Sequence, residues 1–259
     1  MFYYSYITDK GKKQVDQVAL MIKTARYQNA DVLMAAVCDG IGGLSHGEIA
    51  SSSVVEGLSR WFETQYAAHL KAEDNVLTIR QSLDDRLQGL NDAINQCCRD
   101  GASMGTTCTA VLADPQKDLL LIAHVGDTRL YRIREDSIEV MTQDHSVVAE
   151  EVRRGLITEE QARTDERQNQ ITNCIGAGEN GRVYDYLFQR PEEQCTYLLC
   201  TDGFRKMVDP EELQAHLRPQ DVTDAEMLHQ RLQALLELDL MRDETDNITA
   251  VAFAYVKGN

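Results

Sequence analysis

The spacing of apolar residues changes several times along the chain, and each change marks a predicted element. Phe2 to Ile7, Val18 to Thr24 and Leu33 to Cys38 read as strands, the last so apolar that both its faces should be buried. Beyond a glycine-rich stretch at 40–43, Ala50, Val54, Leu58, Trp61 and Phe62 recur at spacings of three and four, which predicts a core-facing helix from Glu48 to about His69. Val76, Leu83, Leu87, Leu90 and Ile94 predict a second helix. Thr106 to Ala113 and Leu119 to Val125 flank a DPQKD turn, a hairpin signal, and 128–133 reads as a third strand of the same meander.

From Ser146 to about Thr172 the chain turns polar and charged, an exposed helical insertion in which Thr158 and Gln161 fit a capping box. Tyr197 to Cys200 and Ile248 to Tyr255 are further strands, and Ala225 to Leu238 a helix. This order implies a layered α+β domain. The four prolines are scattered, and no low-complexity linker interrupts the chain, so residues 1–259 are expected to form one domain.

Composition narrows the classes of function. The 42 acidic and 26 basic residues give a formal charge of −16, which repels nucleic acid and anionic lipid. Seven cysteines, an odd number without paired zinc spacings, read as reduced thiols of a cytoplasmic protein. Neither a signal peptide nor an apolar run of membrane-spanning length is present. A monomer that avoids membranes and nucleic acid is expected.

The chemistry lies at the strand ends. Asp39 and Gly40 follow LMAAVC, Asp127 follows LLLIAHVG, Asp202 and Gly203 follow YLLCT, and Asp246 precedes NITAVAFAY. Any one of them is explained by turn formation. Four together create mutual repulsion that the few neighbouring basic residues, Arg129, Arg205, Lys206 and Arg242, cannot cancel. A hard divalent cation with oxygen ligands, Mg²⁺ or Mn²⁺, is the natural complement. No Ser or Cys sits in a nucleophile elbow.

The segments VCDGIGGLSHGEIAS (37–51), GTTCTAVL (105–112), HVGDTRLYRI (124–133), QDHS (143–146), CTDGF (200–204) and DETDNITAVAF (243–253) resemble, in order, the bacterial PPM or type 2C metal-dependent serine/threonine phosphatases. The resemblance spans about Thr8 to Phe253. It implies a four-layer α-β-β-α sandwich with two central antiparallel sheets. It also implies two Mn²⁺ or Mg²⁺ ions: Asp39 bridging both, the Gly40 carbonyl on one, Asp202 and Asp246 on the other, and Asp127 with Asp202 for a third, weaker ion. By the same resemblance a metal-bridging water or hydroxide attacks phosphorus directly, and phosphorylated substrates of a serine/threonine kinase are the partners. The stretch 145–175 resembles a flap closed by NQIT (169–172) and Gly176.

His46 and His145 lie near these motifs, and orienting the insertion suits His145 better than chemistry. Ile41 stands where some members carry a proposed general-acid histidine. One departure from the family stands at the N-terminal side. Lys13 occupies the place of a phosphate-binding arginine, and Asp16, Gln17 and Val18 that of a triplet ending in Asp. Val18 cannot hydrogen-bond a metal-bound water, which keeps open a metal-binding pseudophosphatase that holds a phosphorylated partner. A phosphatase dedicated to one regulator is a third reading.

Overall fold

The structure is a computed structural model that describes residues 1–44, 46–98, 103–177 and 184–256; Ser45, within the 37–51 motif, lies outside them. One antiparallel sheet contains β1 (Phe2–Asp9), β7 (Arg129–Ile133), β8 (Ile138–Val140), β11 (Thr196–Cys200) and β12 (Ile248–Tyr255), in the order β1-β12-β11-β7-β8. The other contains β2 (Val18–Tyr27), β3 (Ala30–Asp39), β5 (Cys108–Asp114), β6 (Leu119–Val125) and β10 (Asp185–Gln189), in the order β10-β6-β5-β3-β2. A two-residue ladder of β4 (Gly105–Thr106) and β9 (Ile175–Gly176) stands apart.

Strand alternation builds three apolar layers. In β3, Leu33, Ala35 and Val37 face the gap between the sheets, where they join Tyr197, Leu199, Val251 and Phe253. Met34, Ala36 and Cys38 face the other way, toward Val54, Leu58, Trp61, Leu83 and Leu87 of the helices. Burial on both faces is why β3 carries no polar residue between Val32 and Cys38, each such side chain contributing about 1.5–3 kcal/mol if large.

The helices over this sheet are α1 (Gly47–Trp61), a π-helical turn (Phe62–Tyr66), α2 (Ala67–Lys71) and α3 (Val76–Cys97). The predicted helix of 48–69 is therefore present, but the π turn brings Trp61, Phe62 and Tyr66 into one stack. Asn75 caps α3 by accepting hydrogen bonds from the Leu77 and Thr78 amides. Over the first sheet lie α6 (Asp202–Arg205), α7 (Pro210–Leu217) and α8 (Ala225–Met241), whose Leu228, Leu232 and Leu235 meet Leu198, Ala250 and Ala252. The result is the expected α+β sandwich with helices outside both sheets. Among the described residues no helix is long and apolar enough to cross a membrane.

The insertion holds α4 (Val147–Arg153) and α5 (Glu159–Arg163), with the Thr158–Gln161 capping box formed as expected. Its base is closed by the bridge between Ser146 and Ile171, whereas Gly176 pairs with Gly105 in the small ladder. One expectation is overturned: 128–133 does not continue the β5–β6 meander, because β7 pairs with β11 and β8 in the opposite sheet. Gly126, at φ +105°, turns the chain across the gap, and a Cβ there would meet the Thr107 side chain at 2.5 Å.

Fully buried Tyr66 donates a 2.6 Å hydrogen bond to the equally buried Asp114, whose other oxygen caps the Pro115–Lys117 turn. Tyr66→Phe should lower the free energy of urea unfolding by about 1.5–3 kcal/mol, the range for a hydrogen bond to a charged group. Leu77→Ala, at a 70% exposed position, should stay within about 0.5 kcal/mol of the parent.

Candidate metal centre

The register of the two sheets collects the acids at one end of the gap. Val18 pairs with Asp39 in the β2–β3 ladder, so both side chains continue the row of Leu20, Val37, Ile22 and Ala35 that faces the opposite sheet. The Asp39 backbone is fixed by Thr107, whose hydroxyl accepts from the Asp39 amide at 3.0 Å and whose amide donates to the Asp39 carbonyl at 2.8 Å. Thr106 donates a further hydrogen bond to that carbonyl at 2.9 Å. Across the gap Asp202 begins α6 directly after β11, and Asp246 stands two residues before β12.

Electrostatics confirm that these strand ends converge. Burial pushes the Asp39 carboxyl well above the usual carboxylate range, and the charges of Asp202, Asp127 and Asp246 add to the effect, with Lys13 opposing it. Among the described residues no donor hydrogen-bonds the Asp39 carboxylate. Asp127 is pushed up to about 7 by burial and by Asp202. For Asp202 burial acts upward too, but the charges of Lys206 and Arg205 prevail and hold its carboxyl below the ordinary value.

Two lysines stand against the acids. Lys13 Nζ lies 3.1 Å from Asp246 Oδ1, and Lys206 Nζ lies 2.9 Å from Asp202 Oδ2. Among the described residues no three His, Cys, Asp or Glu side chains are drawn together tightly enough to hold a metal ion as they stand. The donors nevertheless suit a hard cation, being oxygens only, with Asp39 unpartnered amid three further carboxylates. Lys13, placed at the phosphate by resemblance, reaches Asp246 from an exposed loop.

A protein-family profile described as Protein phosphatase 2C matches residues 9–237. The chain belongs to the protein phosphatase 2C family. It is 36% identical to the serine/threonine phosphatase stp of Listeria innocua over 199 residues, 74% of this chain and 75% of that one. It is 30% identical to the serine/threonine protein phosphatase PstP of Mycobacterium tuberculosis over 225 residues, 86% of this chain and 40% of that one. The fold matches the crystal structure of serine/threonine phosphatase Stp1 from Staphylococcus aureus with a TM-score of 0.83 at 27% identity, covering 100% of this chain and 96% of the other. It also matches the catalytic domain of PstP in complex with 2 manganese ions, with a TM-score of 0.76 at 25% identity and 99% of each chain covered. The chain is thus a serine/threonine protein phosphatase of a family with manganese-binding members.

Other parts of the phosphatase hold this end of the sandwich in place. The buried Asn247 amide donates to the Lys10 and Val15 carbonyls, and its oxygen accepts from the Gln17 amide, so one side chain ties the 10–17 loop to the Asp246 loop. Gly11, at φ +59°, lies so close that a Cβ would meet the Asp246 carbonyl at 2.1 Å. Glu244 accepts from the Thr245 and Asp246 amides. Sequence reasoning gave no role to Asn247, Glu244 and Thr107; Glu244 and Asn247 lie beside Asp246 in the sequence, whereas Thr107 lies far from all four acids.

His46 stands at the N-cap position of α1 at φ 57° with no side-chain capping hydrogen bond, its side chain 63% exposed and its Nδ1 3.5 Å from Glu48 Oε1. His145 is a joint between the Asp127 turn and the insertion. Its Nδ1 accepts from the Gly126 amide, Nε2 meets Asp185 at 3.1 Å, and its carbonyl accepts from Thr172. A cleft of about 510 Å³ runs from Asp127, Asp202 and Lys206 to Val148, Val152 and Arg163 of the insertion.

Behind the Asp246 loop, Asp239 of α8 is fully buried with both carboxylate oxygens unpartnered among the described residues. Burial, then the charge of Glu244, pushes its carboxyl up to about 8. The folded chain therefore keeps a proton that the unfolded chain, with a pKa of about 3.9, releases. That contribution to stability is full below about pH 4 and is lost as pH rises toward 8. In thermal unfolding between pH 5 and 9, Asp239→Asn should flatten the decline of the midpoint with rising pH; parallel profiles would refute this origin.

Proposed function

We propose that the phosphatase hydrolyses phosphoserine and phosphothreonine esters on proteins by direct attack of water on phosphorus, with two Mn²⁺ or Mg²⁺ ions held by Asp39, the Gly40 carbonyl, Asp202 and Asp246. The observation that carries this reading is the unpartnered Asp39 carboxylate, placed where three more acids raise its proton affinity. Cations bound there would acidify water and neutralise charge on the phosphoryl oxygens.

The protein's own groups prepare that reaction. Thr106 and Thr107 hold the Asp39 backbone, and Asn247 with Glu244 hold the Asp246 loop. Lys13, 3.1 Å from Asp246 and exposed, would offer phosphate a point charge without the bidentate fork of arginine. A covalent intermediate is disfavoured by the neighbouring nucleophiles. Burial pushes the Cys200 thiol up to about 12, Cys38 is likewise held protonated by burial beside Cys108, and the Ser51 hydroxyl donates to the Gln17 carbonyl. The substrates would be products of a serine/threonine kinase.

A second reading, a chain that binds a phosphorylated regulatory partner with slow or no turnover, is favoured by Val18, an apolar side chain beside Asp39 on the same face. Hydrolysis of an aryl phosphate and of a phosphothreonine peptide separates the two. The enzyme reading expects Mn²⁺-dependent turnover that chelator abolishes and Asp39→Asn reduces by more than the roughly 100-fold typical of losing an outer-shell metal partner. Folded protein with no turnover above the Asp39→Asn control would establish the second reading. Val18→Asp should tighten the apparent Mn²⁺ affinity roughly tenfold in a Mn²⁺ titration, and an unchanged midpoint would refute the role given to Val18.

A further inference from the structure

The acid cluster is asymmetric in the cations that already serve it. On one side Asp39 has no hydrogen-bond donor among the described residues, and Asp246 Oδ1 accepts the Asn247 amide and pairs with the 47% exposed Lys13. On the other side Lys206, one helical turn beyond Asp202, has its ammonium 2.9 Å from Asp202 Oδ2 and is 23% exposed. Arg205 donates to the Asp127 carbonyl at 3.2 Å and to Asp144 at 3.2 Å, while Arg129 grips Asp144 with two hydrogen bonds of 2.8 Å. Asp144 and Asp202 are thus paired by fixed cations, while the Asp127 carboxylate, without an ion pair among the described residues, feels the charges of Arg205 and Lys206.

A divalent ion between Asp127 and Asp202 would have to approach carboxylate oxygens to roughly 2.0–2.6 Å. It would do so against an ammonium seated on one of those carboxylates, where like charges repel strongly. Lys13 can yield to a metal by swinging into solvent from its loop. Lys206 has less freedom, because its side chain is about half as exposed as that of Lys13 and its backbone belongs to the turn that starts with Asp202. A carboxylate has about four lone-pair sites, so Lys206 on Oδ2 still leaves Oδ1, which among the described residues accepts only the Gly203 amide, open to the metal pair.

We propose that Lys206 is a built-in cation that takes the place of a third metal ion between Asp202 and Asp127, so that the centre holds two ions. This rests on the metal-phosphatase reading above and replaces the expectation that Asp127 and Asp202 bind a third. Lys206 is then a positioning residue: it fixes the outer oxygen of Asp202 and supplies charge to the Asp127 side at all metal concentrations.

The test counts bound Mn²⁺ by equilibrium dialysis and elemental analysis of the purified full chain, independently of hydrolysis. The parent should bind two ions at saturation. Lys206→Asp, which removes the ammonium and adds a ligand, should bind a third, and adding Asp127→Asn to it should remove that third ion. If Lys206→Asp is not folded by circular dichroism, Lys206→Gln serves, with a weaker third ion expected. A parent that binds three ions and loses one on Asp127→Asn overturns the inference while leaving the metal-phosphatase reading intact. A folded Lys206 variant that still binds two also overturns it. Absence of Mn²⁺ from the folded parent overturns both.

Discussion

Repulsion among carboxylates at the open end of the inter-sheet gap is the constraint on which the rest of this end of the molecule depends. Strand pairing leaves little choice: β3 and β11 run toward the same end, and β12 starts from it. Burial, and after it each added acid, makes ionisation more costly, and both displace Asp39 and Asp127 upward. The surrounding hydrogen bonds work against that force. Asn247 ties down the 10–17 loop, Thr107 holds the Asp39 backbone, and His145 holds the Gly126 turn.

The parts of this arrangement that could be read in the sequence are those whose cause is local. β3 and β12 are apolar because both faces are covered, and an Asp after such a strand is visible without knowledge of its neighbours. The helix over Ala50, Val54, Leu58 and Trp61 declares itself by spacing alone. The sheet to which β7 belongs does not, since alternation gives a strand its faces and not its partners. The decision is made by Gly126, whose left-handed φ sends the chain across the gap. Asn247 was equally hidden, because its amide gains its meaning from Lys10, Val15 and Gln17, more than two hundred positions earlier.

The N-terminal departure shows where geometry adds to motif reading. In sequence, Val18 is a valine where the related pattern has an acid. In the ladder it stands opposite Asp39 on the same face, so its side chain, unable to accept or donate a hydrogen bond, falls beside a carboxylate that has no hydrogen-bond donor among the described residues. Lys13 is redefined as well. It reaches the centre, but through Asp246, so any contact with phosphate competes with that ion pair.

Net charge sets the final constraint on function. A chain of formal charge −16 repels a phosphorylated protein at long range, and four acids at the centre repel its phosphate at short range. The cleft can reverse sign only locally. Lys206, Arg205 and Arg129 do this on one side, but they are already paired with Asp202 and Asp144 and lie beside the charge of Asp127, so they neutralise without leaving a surplus. The surplus must come from the other side, where Asp39 and Asp246 have acidic charge and one exposed lysine. Divalent ions bound there, as proposed, would turn a repulsive centre into one that attracts phosphate, so that substrate binding as well as the chemical step would depend on metal.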